Sequence, residues 1–220
     1  ESSKETTKFC VLDGGALLHK VKWQPNTSFK DISTSYCEYI KHRYRSYERC
    51  CVVFDGNSDK MSIKSTEHAR RSPKTASANV TVSDKMVITT SREMFLHNIP
   101  NKKQFIKILG EHIEACGVEV VYSSGDADVL IVQTALGKAM SEEATVSAED
   151  TDVLILLMAH WDSILHDIFF STEKKEKSTK VVKAWKMSEL VASCDYTEHL
   201  LFTHTWSGCD STSAIHRQGM

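Results

Sequence analysis

The stretch KFCVLDGG, residues 8–15, decides the fold class. Its first residues are apolar and β-prone, and they run into an Asp-Gly-Gly turn, which is typical of a buried strand that stops abruptly. The stretch CCVVFDG, residues 50–56, has the same pattern. We therefore predict two buried strands whose ends are marked by Asp13 and Asp55.

Helical and strand-like segments alternate along the rest of the chain. Capped or amphipathic patterns predict helices over residues 28–47, 104–115 and 126–136, and short apolar runs predict strands over residues 118–122 and 144–148. Residues 153–161 are apolar and fit either a helix or a strand. Such alternation indicates βαβ units. We predict one three-layer α/β domain over residues 1–220, with a mainly parallel central sheet.

Two segments depart from this pattern. Residues 57–101 are polar and basic at first and then mixed, so we predict an inserted arch or loop at the end of the second strand. Residues 168–171 and 181–185 predict a later hairpin, with residues 172–180 as a solvated loop.

Composition limits the class of protein. The chain has 220 residues, of which 41% are hydrophobic and 25% charged, as in ordinary globular domains. No apolar run approaches the length of about 18 residues that a membrane span requires, so we expect no membrane partner. Seven cysteines without a C-x-x-C pair favour a reduced, intracellular protein, nuclear or cytoplasmic. The first residue is Glu1, so we expect a fragment or a processed form.

Acidic residues recur where the predicted strands end. Seven aspartates have such positions or lie in a late turn: Asp13, Asp55, Asp126, Asp128, Asp150, Asp152 and Asp210. In an open parallel sheet, ligands bind beyond the carboxyl ends of the strands, so these side chains could converge on one site.

The chemistry of such a cluster favours hard cations. Carboxylates held together repel one another and raise each other's pKa unless a cation intervenes. Oxygen ligands alone favour Mg²⁺ or Mn²⁺, and two such ions about 4 Å apart can activate water and stabilise the leaving oxygen of a phosphodiester. The alternative for each single aspartate is a helix N-cap or a turn.

Without the seven carboxylates, a formal net charge of −2 becomes +5, so a nucleic-acid partner is compatible with the charge.

The ordered motifs resemble those of flap endonucleases and related structure-specific 5′-nucleases of the PIN-like superfamily. They are VLDGG (11–15), VVFDG (52–56), DAD (126–128), EDTD (149–152) and SGCD (207–210). The resemblance implies that Asp13, Asp55 and Asp128 mainly hold one ion, and that the other four aspartates mainly hold a second. The family usually has glutamates in place of Asp126 and Asp128. We also expect the family's duplex-gripping helices to be truncated after Asp210.

A basic segment after Asp55 resembles the helix that faces the scissile phosphate in that family. Lys64 and Arg71 are seven residues apart, which places them on one face of a helix. We predict that they are catalytic, acting as a phosphate clamp, and that Lys60 and Arg70 join them in binding nucleic acid. A solvated basic face is the alternative.

The predicted function is metal-dependent hydrolysis of phosphodiester bonds with two Mg²⁺ or Mn²⁺ ions, on DNA more than RNA. One alternative is a PIN-like single-strand ribonuclease with the same acidic cluster. Another is a catalytically silent nucleic-acid-binding or scaffold domain. A phosphatase of another α/β family is less favoured, because no D-x-D-x-T motif follows the first strand.

Overall fold

The computed structural model describes residues 9–56, 77–176 and 179–207. In these residues the strands are β1 Phe9–Asp13, β2 Arg49–Phe54, β3 Glu119–Tyr122, β4 Ala144–Ser147, β5 Ile168–Glu176 and β6 Thr179–Lys186. The α-helices are α1 Gly14–Leu18, α2 Phe29–Arg43, α3 Arg92–His97, α4 Ile99–Ala115, α5 Ala127–Ala139, α6 Thr151–His160, α7 Met187–Ala192 and α8 Leu200–Ser207. A short 3-10 helix, Thr197–His199, precedes α8.

The described strands form one sheet of order β3-β2-β1-β4-β5-β6. The first five strands of this order are parallel, and β6 pairs with β5 in the antiparallel direction. The prediction of an α/β fold with a mainly parallel sheet is therefore confirmed. The chain moves outward from β1 to β2 and β3, and later resumes on the other side of β1 with β4. Strand order thus reverses between β1 and β4.

Helices cover both faces of the sheet, because the strands alternate side chains between two separate cores. Cys10 and Leu12 of β1 pack with α2, α3 and α4 in the first core. Phe9 and Val11 of the same strand pack with α5, α6 and α7 in the second core. Burial on both faces explains the continuous apolar runs of β1 and β2. This architecture is compatible with a three-layer α/β fold.

The described part of the predicted insertion packs against the first core. Val82, Ile88 and Phe95 are buried there. The Arg92 guanidinium donates hydrogen bonds to the carbonyl oxygens of His19 and Val21, at 2.9 and 2.7 Å. Residues 77–101 are thereby fixed to the loop that follows α1. Residues 57–76 of the predicted arch lie outside the described residues.

Several boundaries differ from the prediction. Helix α4 begins at Ile99 rather than residue 104, because the Asn98 side chain accepts a hydrogen bond from the Asn101 amide and Pro100 suits the first turn. It ends as predicted at Ala115, and Gly117, two residues later, has the positive φ of 84° that is common just after a helix. The ambiguous segment 153–161 is helical as far as His160, in helix α6, which Asp150 caps.

The predicted loop over residues 172–180 was wrong. Strand β5 continues to Glu176, and β6 begins at Thr179. Antiparallel pairing with β6 satisfies the backbone of this polar segment, so its strands need no apolar sequence. Such a ribbon at a sheet edge has no hydrophobic pattern from which to recognise it.

Candidate functional site

Two glycines allow the carboxyl ends of β1, β2 and β3 to approach closely. A Cβ atom on Gly14 would lie 2.3 Å from Cδ1 of Phe54, and one on Gly56 would lie 1.5 Å from the carbonyl oxygen of Ser123. Neither distance is possible for a real side chain. The Asp-Gly pairs of the two opening motifs therefore join an acidic residue to a backbone that must pack without a side chain.

Three of the predicted site aspartates cap helices. Oδ1 of Asp13 accepts hydrogen bonds from the amides of Gly15 and Ala16, at 2.8 and 3.2 Å. Oδ1 of Asp126 accepts from the Asp128 amide at 3.1 Å, and Oδ1 of Asp150 accepts from the Asp152 amide at 2.9 Å. The N-cap interpretation is correct for these three residues. Each of these bonds uses Oδ1 of the carboxylate.

The caps at Asp13 and Asp150 lie on either side of the reversal in strand order. Asp13 ends β1, and Leu12 is in register with Ser147 of β4, three residues before Asp150. A reversal of this kind opens a crevice in which α/β proteins bind ligands. Here the helix N-termini that could bind an anion are already occupied by carboxylates, so the crevice presents negative charge.

The electrostatics of Asp13 reflect this position. Burial raises the pKa of the Asp13 carboxyl, the backbone hydrogen bonds from Ala16 and Gly15 lower it, and the charges of Asp150 and Glu149 raise it again. The net result is a pKa above the ordinary value. Within the described part of the chain, neither Asp13 nor Asp150 forms an ion pair with a basic side chain.

These two carboxylates fit a hard divalent cation by donor chemistry. Mg²⁺ prefers oxygen ligands, retains several waters and is commonly held by one or two carboxylates. The described residues contain no group of three or more His, Cys, Asp or Glu side chains that could hold a metal ion. Asp150 lies near enough to Asp13 for its charge to raise the pKa of Asp13, and the two are one residue from each of the two predicted ion sites.

The other predicted ligands have different surroundings. Asp55 is exposed at the end of β2, on the opposite side of β1 from Asp150. Asp126 is the N-cap of α5, and Asp128 lies in the first turn of that helix. Oδ1 of Asp152 lies 3.0 Å from Nε2 of His204 on α8.

Five predicted residues lie outside the described ranges: Asp210, Lys60, Lys64, Arg70 and Arg71. The predicted phosphate clamp and the seventh ligand therefore stay predictions from the sequence.

Sequence reasoning missed a set of charged residues beside Asp13. Lys20 forms ion pairs with Glu149 and Glu173, and Arg43 pairs with Glu173. We call these four residues the charged bridge. Glu149 stands in the EDTD motif, which could have drawn attention to it, but isolated basic residues at positions 20 and 43 give no signal. His204 was likewise missed among scattered histidines.

No protein-family model matches the sequence, and no curated protein is significantly similar to it. Among the helices of the described ranges, none is long and apolar enough to cross a membrane.

Proposed function

We propose that this chain is a metal-dependent nuclease with a PIN-like fold, related in mechanism to flap endonucleases. Its substrate would be the phosphodiester backbone of nucleic acid, with DNA favoured over RNA, and the products would have 5′-phosphate and 3′-hydroxyl ends. One observation supports this most directly. Asp13 and Asp150 flank the reversal in strand order, and no basic side chain of the described residues neutralises them.

The chemistry follows from what these residues can bind. A crevice that presents carboxylates repels an anionic backbone unless cations lie between them. Bound Mg²⁺ or Mn²⁺ would supply an activated water and stabilise charge on the phosphoryl oxygens. Asp13 and Asp150 would hold such ions, and the N-cap bonds to Oδ1 of each would fix the orientation of the carboxylates.

The remaining predicted residues would complete the site. Asp55, Asp126, Asp128, Asp152 and Asp210 are the further proposed ligands, acting directly or through water. Lys64 and Arg71 would bind the reacting phosphate. No covalent nucleophile is required, because the attacking group is water.

A second candidate is a nucleic-acid-binding domain without catalysis. It is favoured by the use of Asp13, Asp126 and Asp150 as helix caps, since a cap explains an aspartate without any metal. It does not explain why Asp13 and Asp150 are left without basic partners in the described part of the chain. Ser or Asn would cap these helices about as well as Asp and without placing two negative charges near each other, so capping alone does not explain the two aspartates.

The test is cleavage of a panel of single-stranded, duplex and flapped substrates, as DNA and as RNA, in Mg²⁺, in Mn²⁺ and in EDTA. The proposal expects cleavage that requires a divalent cation. Activity confined to single-stranded RNA would identify a PIN-like ribonuclease instead. Binding without cleavage under all metal conditions would support the silent domain.

A further inference from the structure

Two cysteines lie side by side on the face of the sheet that packs into the first core. Cys10 of β1 and Cys50 of β2 are partners in the parallel register, and both side chains contact the first core. Neighbouring strands are about 4.8 Å apart, which is within the range of Cα separations that a disulfide requires. The Cys10 thiol donates a hydrogen bond to the sulfur of Cys50. The two sulfurs are therefore placed to form a disulfide.

Only one of these two sulfurs is accessible from outside. Cys10 is fully buried, whereas Cys50 is partly buried and lines a cavity of about 330 Å³. This cavity lies between the C-terminal end of α2, the start of β2 and the turn before β3. It is thus at the opposite end of the strands from Asp13 and Asp150. A volume of this size accommodates a small organic molecule.

The lining of the cavity has charges of both signs. Its charged residues are Lys41, Arg45, Glu48, Arg49 and Glu119. Arg49 pairs with Glu142, but Lys41 and Arg45 form no ion pair with any residue that the structure describes. These two cations suit the carboxylates of a small zwitterionic peptide, and the two glutamates suit its ammonium group. A hydroperoxide would not need such a lining.

The two thiols differ in the way that disulfide exchange requires. Burial raises the pKa of the Cys10 thiol, and the hydrogen bond to Cys50 raises it further. The same hydrogen bond lowers the pKa of Cys50, against the opposing effect of burial. Because the thiolate is the nucleophile in exchange, Cys50 attacks first and Cys10 keeps its proton until the second step.

We propose that Cys50 is a modification site for a small charged disulfide of the glutathione type, and that Cys10 is its resolving thiol. The Cys50 thiolate attacks one sulfur of the small disulfide, forming a mixed disulfide and releasing the other half as a thiolate. Cys10 then attacks Sγ of Cys50, the bond from Cys50 to the small molecule breaks, and the proton of Cys10 leaves with the departing thiol. Two protein thiols are oxidised and one small disulfide is reduced to two thiols, so no other oxidant is needed. The proposal does not depend on nuclease activity.

The experiment mixes the reduced chain with oxidised glutathione, blocks the remaining thiols with iodoacetamide at timed intervals, and maps the modified cysteines by peptide mass spectrometry. Cys50 should react at least tenfold faster than Cys116. Cys116 is the matched control, since it is also partly buried and contacts another thiol, that of Cys37, but does not line the cavity in the described part of the chain. Wild type should end as a Cys10–Cys50 disulfide without bound glutathione, whereas Cys10→Ser should stop at the mixed disulfide on Cys50.

A second measurement tests the charged lining. Replacing Lys41 and Arg45 together by Gln should slow the reaction of Cys50 with oxidised glutathione at least fivefold, and should leave its reaction with the uncharged bis(2-hydroxyethyl) disulfide within twofold of wild type. An equal fall with both reagents would overturn recognition of a charged disulfide.

The other parts of the proposal have their own contradicting outcomes. Equal rates at Cys50 and Cys116 would overturn the modification site. A mixed disulfide that persists on Cys50 of the wild-type protein would overturn the role of Cys10. Circular dichroism verifies that each variant is folded, and Cys10→Ala replaces Cys10→Ser if the latter does not fold, with the same trapped product expected.

Discussion

Two pairs of carboxylates lie at the same end of the sheet in contrasting electrostatic environments. Glu149 and Glu173 share ion pairs with Lys20 and Arg43. Asp13 and Asp150, next to them, have no basic partner in the described residues, and each accepts backbone hydrogen bonds instead. The fold therefore compensates negative charge selectively at this edge. The compensated pair suits a structural role, and the uncompensated pair suits an external cation.

The largest expected effect is on cleavage, and it distinguishes Asp150 of the uncompensated pair from its neighbour Glu149 of the compensated pair. Asp150→Asn should lower cleavage at least 100-fold, because Asn keeps the helix cap but removes the charge that would hold the ion. Glu149→Gln should lower it less than tenfold. Asp152→Asn, which removes the charge beside His204, should behave like Asp150→Asn. Steady-state kinetics in Mg²⁺ measures this, and near wild-type turnover in both aspartate variants would contradict the two-metal proposal.

The predicted phosphate clamp, Lys64 and Arg71, would supply the positive charge that the uncompensated pair lacks. Replacing Lys64 and Arg71 together by Ala should lower the single-turnover rate at least tenfold with a modest loss of affinity, because the clamp would act on charge that develops in the transition state. A solvated basic face would instead give a salt-sensitive loss of affinity and unchanged single-turnover chemistry. Measurement at saturating enzyme distinguishes the two results.

Breaking the compensated pair should affect stability rather than chemistry. Glu173→Gln removes the carboxylate that pairs with Arg43 and leaves Lys20 with Glu149 alone, in a partly buried place, and it should cost about 2 kcal/mol of unfolding free energy. For a domain of this size that is a fall in Tm of about 4–8 °C.

The matched control for Glu173 is Glu93→Gln. Glu93 pairs with Arg92, but its side chain is 58% exposed, and exposed pairs contribute less than about 1 kcal/mol. Equal losses of stability in the two variants would show that burial of the bridge has no special effect.

How far the sequence predicts this molecule depends on whether the pattern is local. Apolar runs ending in Asp-Gly predicted β1 and β2, because both faces of each strand are buried. Gly14 and Gly56 stand where the neighbouring chain leaves no room for a side chain, which agrees with the glycine in each motif. The position of Asp13 and Asp150 also followed from strand ends. Each of these features depends on a pattern of a few consecutive residues.

The charged bridge was not predictable in this way. Its members come from the loop after α1, from α2, from the segment after β4 and from β5, so that only the folded sheet brings them together. The same holds for His204 and Asp152, which are separated by 52 residues in the numbering and meet at 3.0 Å. The predicted hairpin of β5 and β6 is present, but its extension through the predicted loop over residues 172–180 was missed, because backbone pairing rather than apolar burial holds that part.

A divalent cation should act on the uncompensated pair and raise the stability of the wild-type protein. At ten times its Kd, a ligand that binds only the folded state contributes about 1.4 kcal/mol, which corresponds to a rise in Tm of about 3–6 °C. Thermal melting in Mg²⁺ and in EDTA measures the difference. Asp150→Asn should lose most of the rise, and a wild-type midpoint that does not respond to millimolar Mg²⁺ would argue against a cation at this edge.

The smallest expected effect is the cost of the Asp13 charge when no cation is bound. Burial raises the pKa of Asp13 in the folded state above its value in the unfolded chain, so the folded state binds the proton more tightly. Ionisation of Asp13 therefore destabilises the fold. This cost is absent below the unfolded pKa of about 3.9, grows as the pH rises toward the folded pKa, and is complete above it.

Asp13→Asn should accordingly stabilise the metal-free protein at pH 7, because Asn retains the helix cap and removes the charge. A gain of about 1 kcal/mol would raise Tm by about 2–4 °C, and the gain should shrink as the pH falls toward about 3.9. The control is Asp162→Asn, since Asp162 is exposed and also accepts a backbone hydrogen bond, from Ile164 at 3.1 Å. In saturating Mg²⁺ the order should reverse, with wild type more stable than Asp13→Asn. A variant less stable than wild type in EDTA at pH 7 would mean that the Asp13 charge is already compensated, and the contrast with Glu149 and Glu173 would no longer hold.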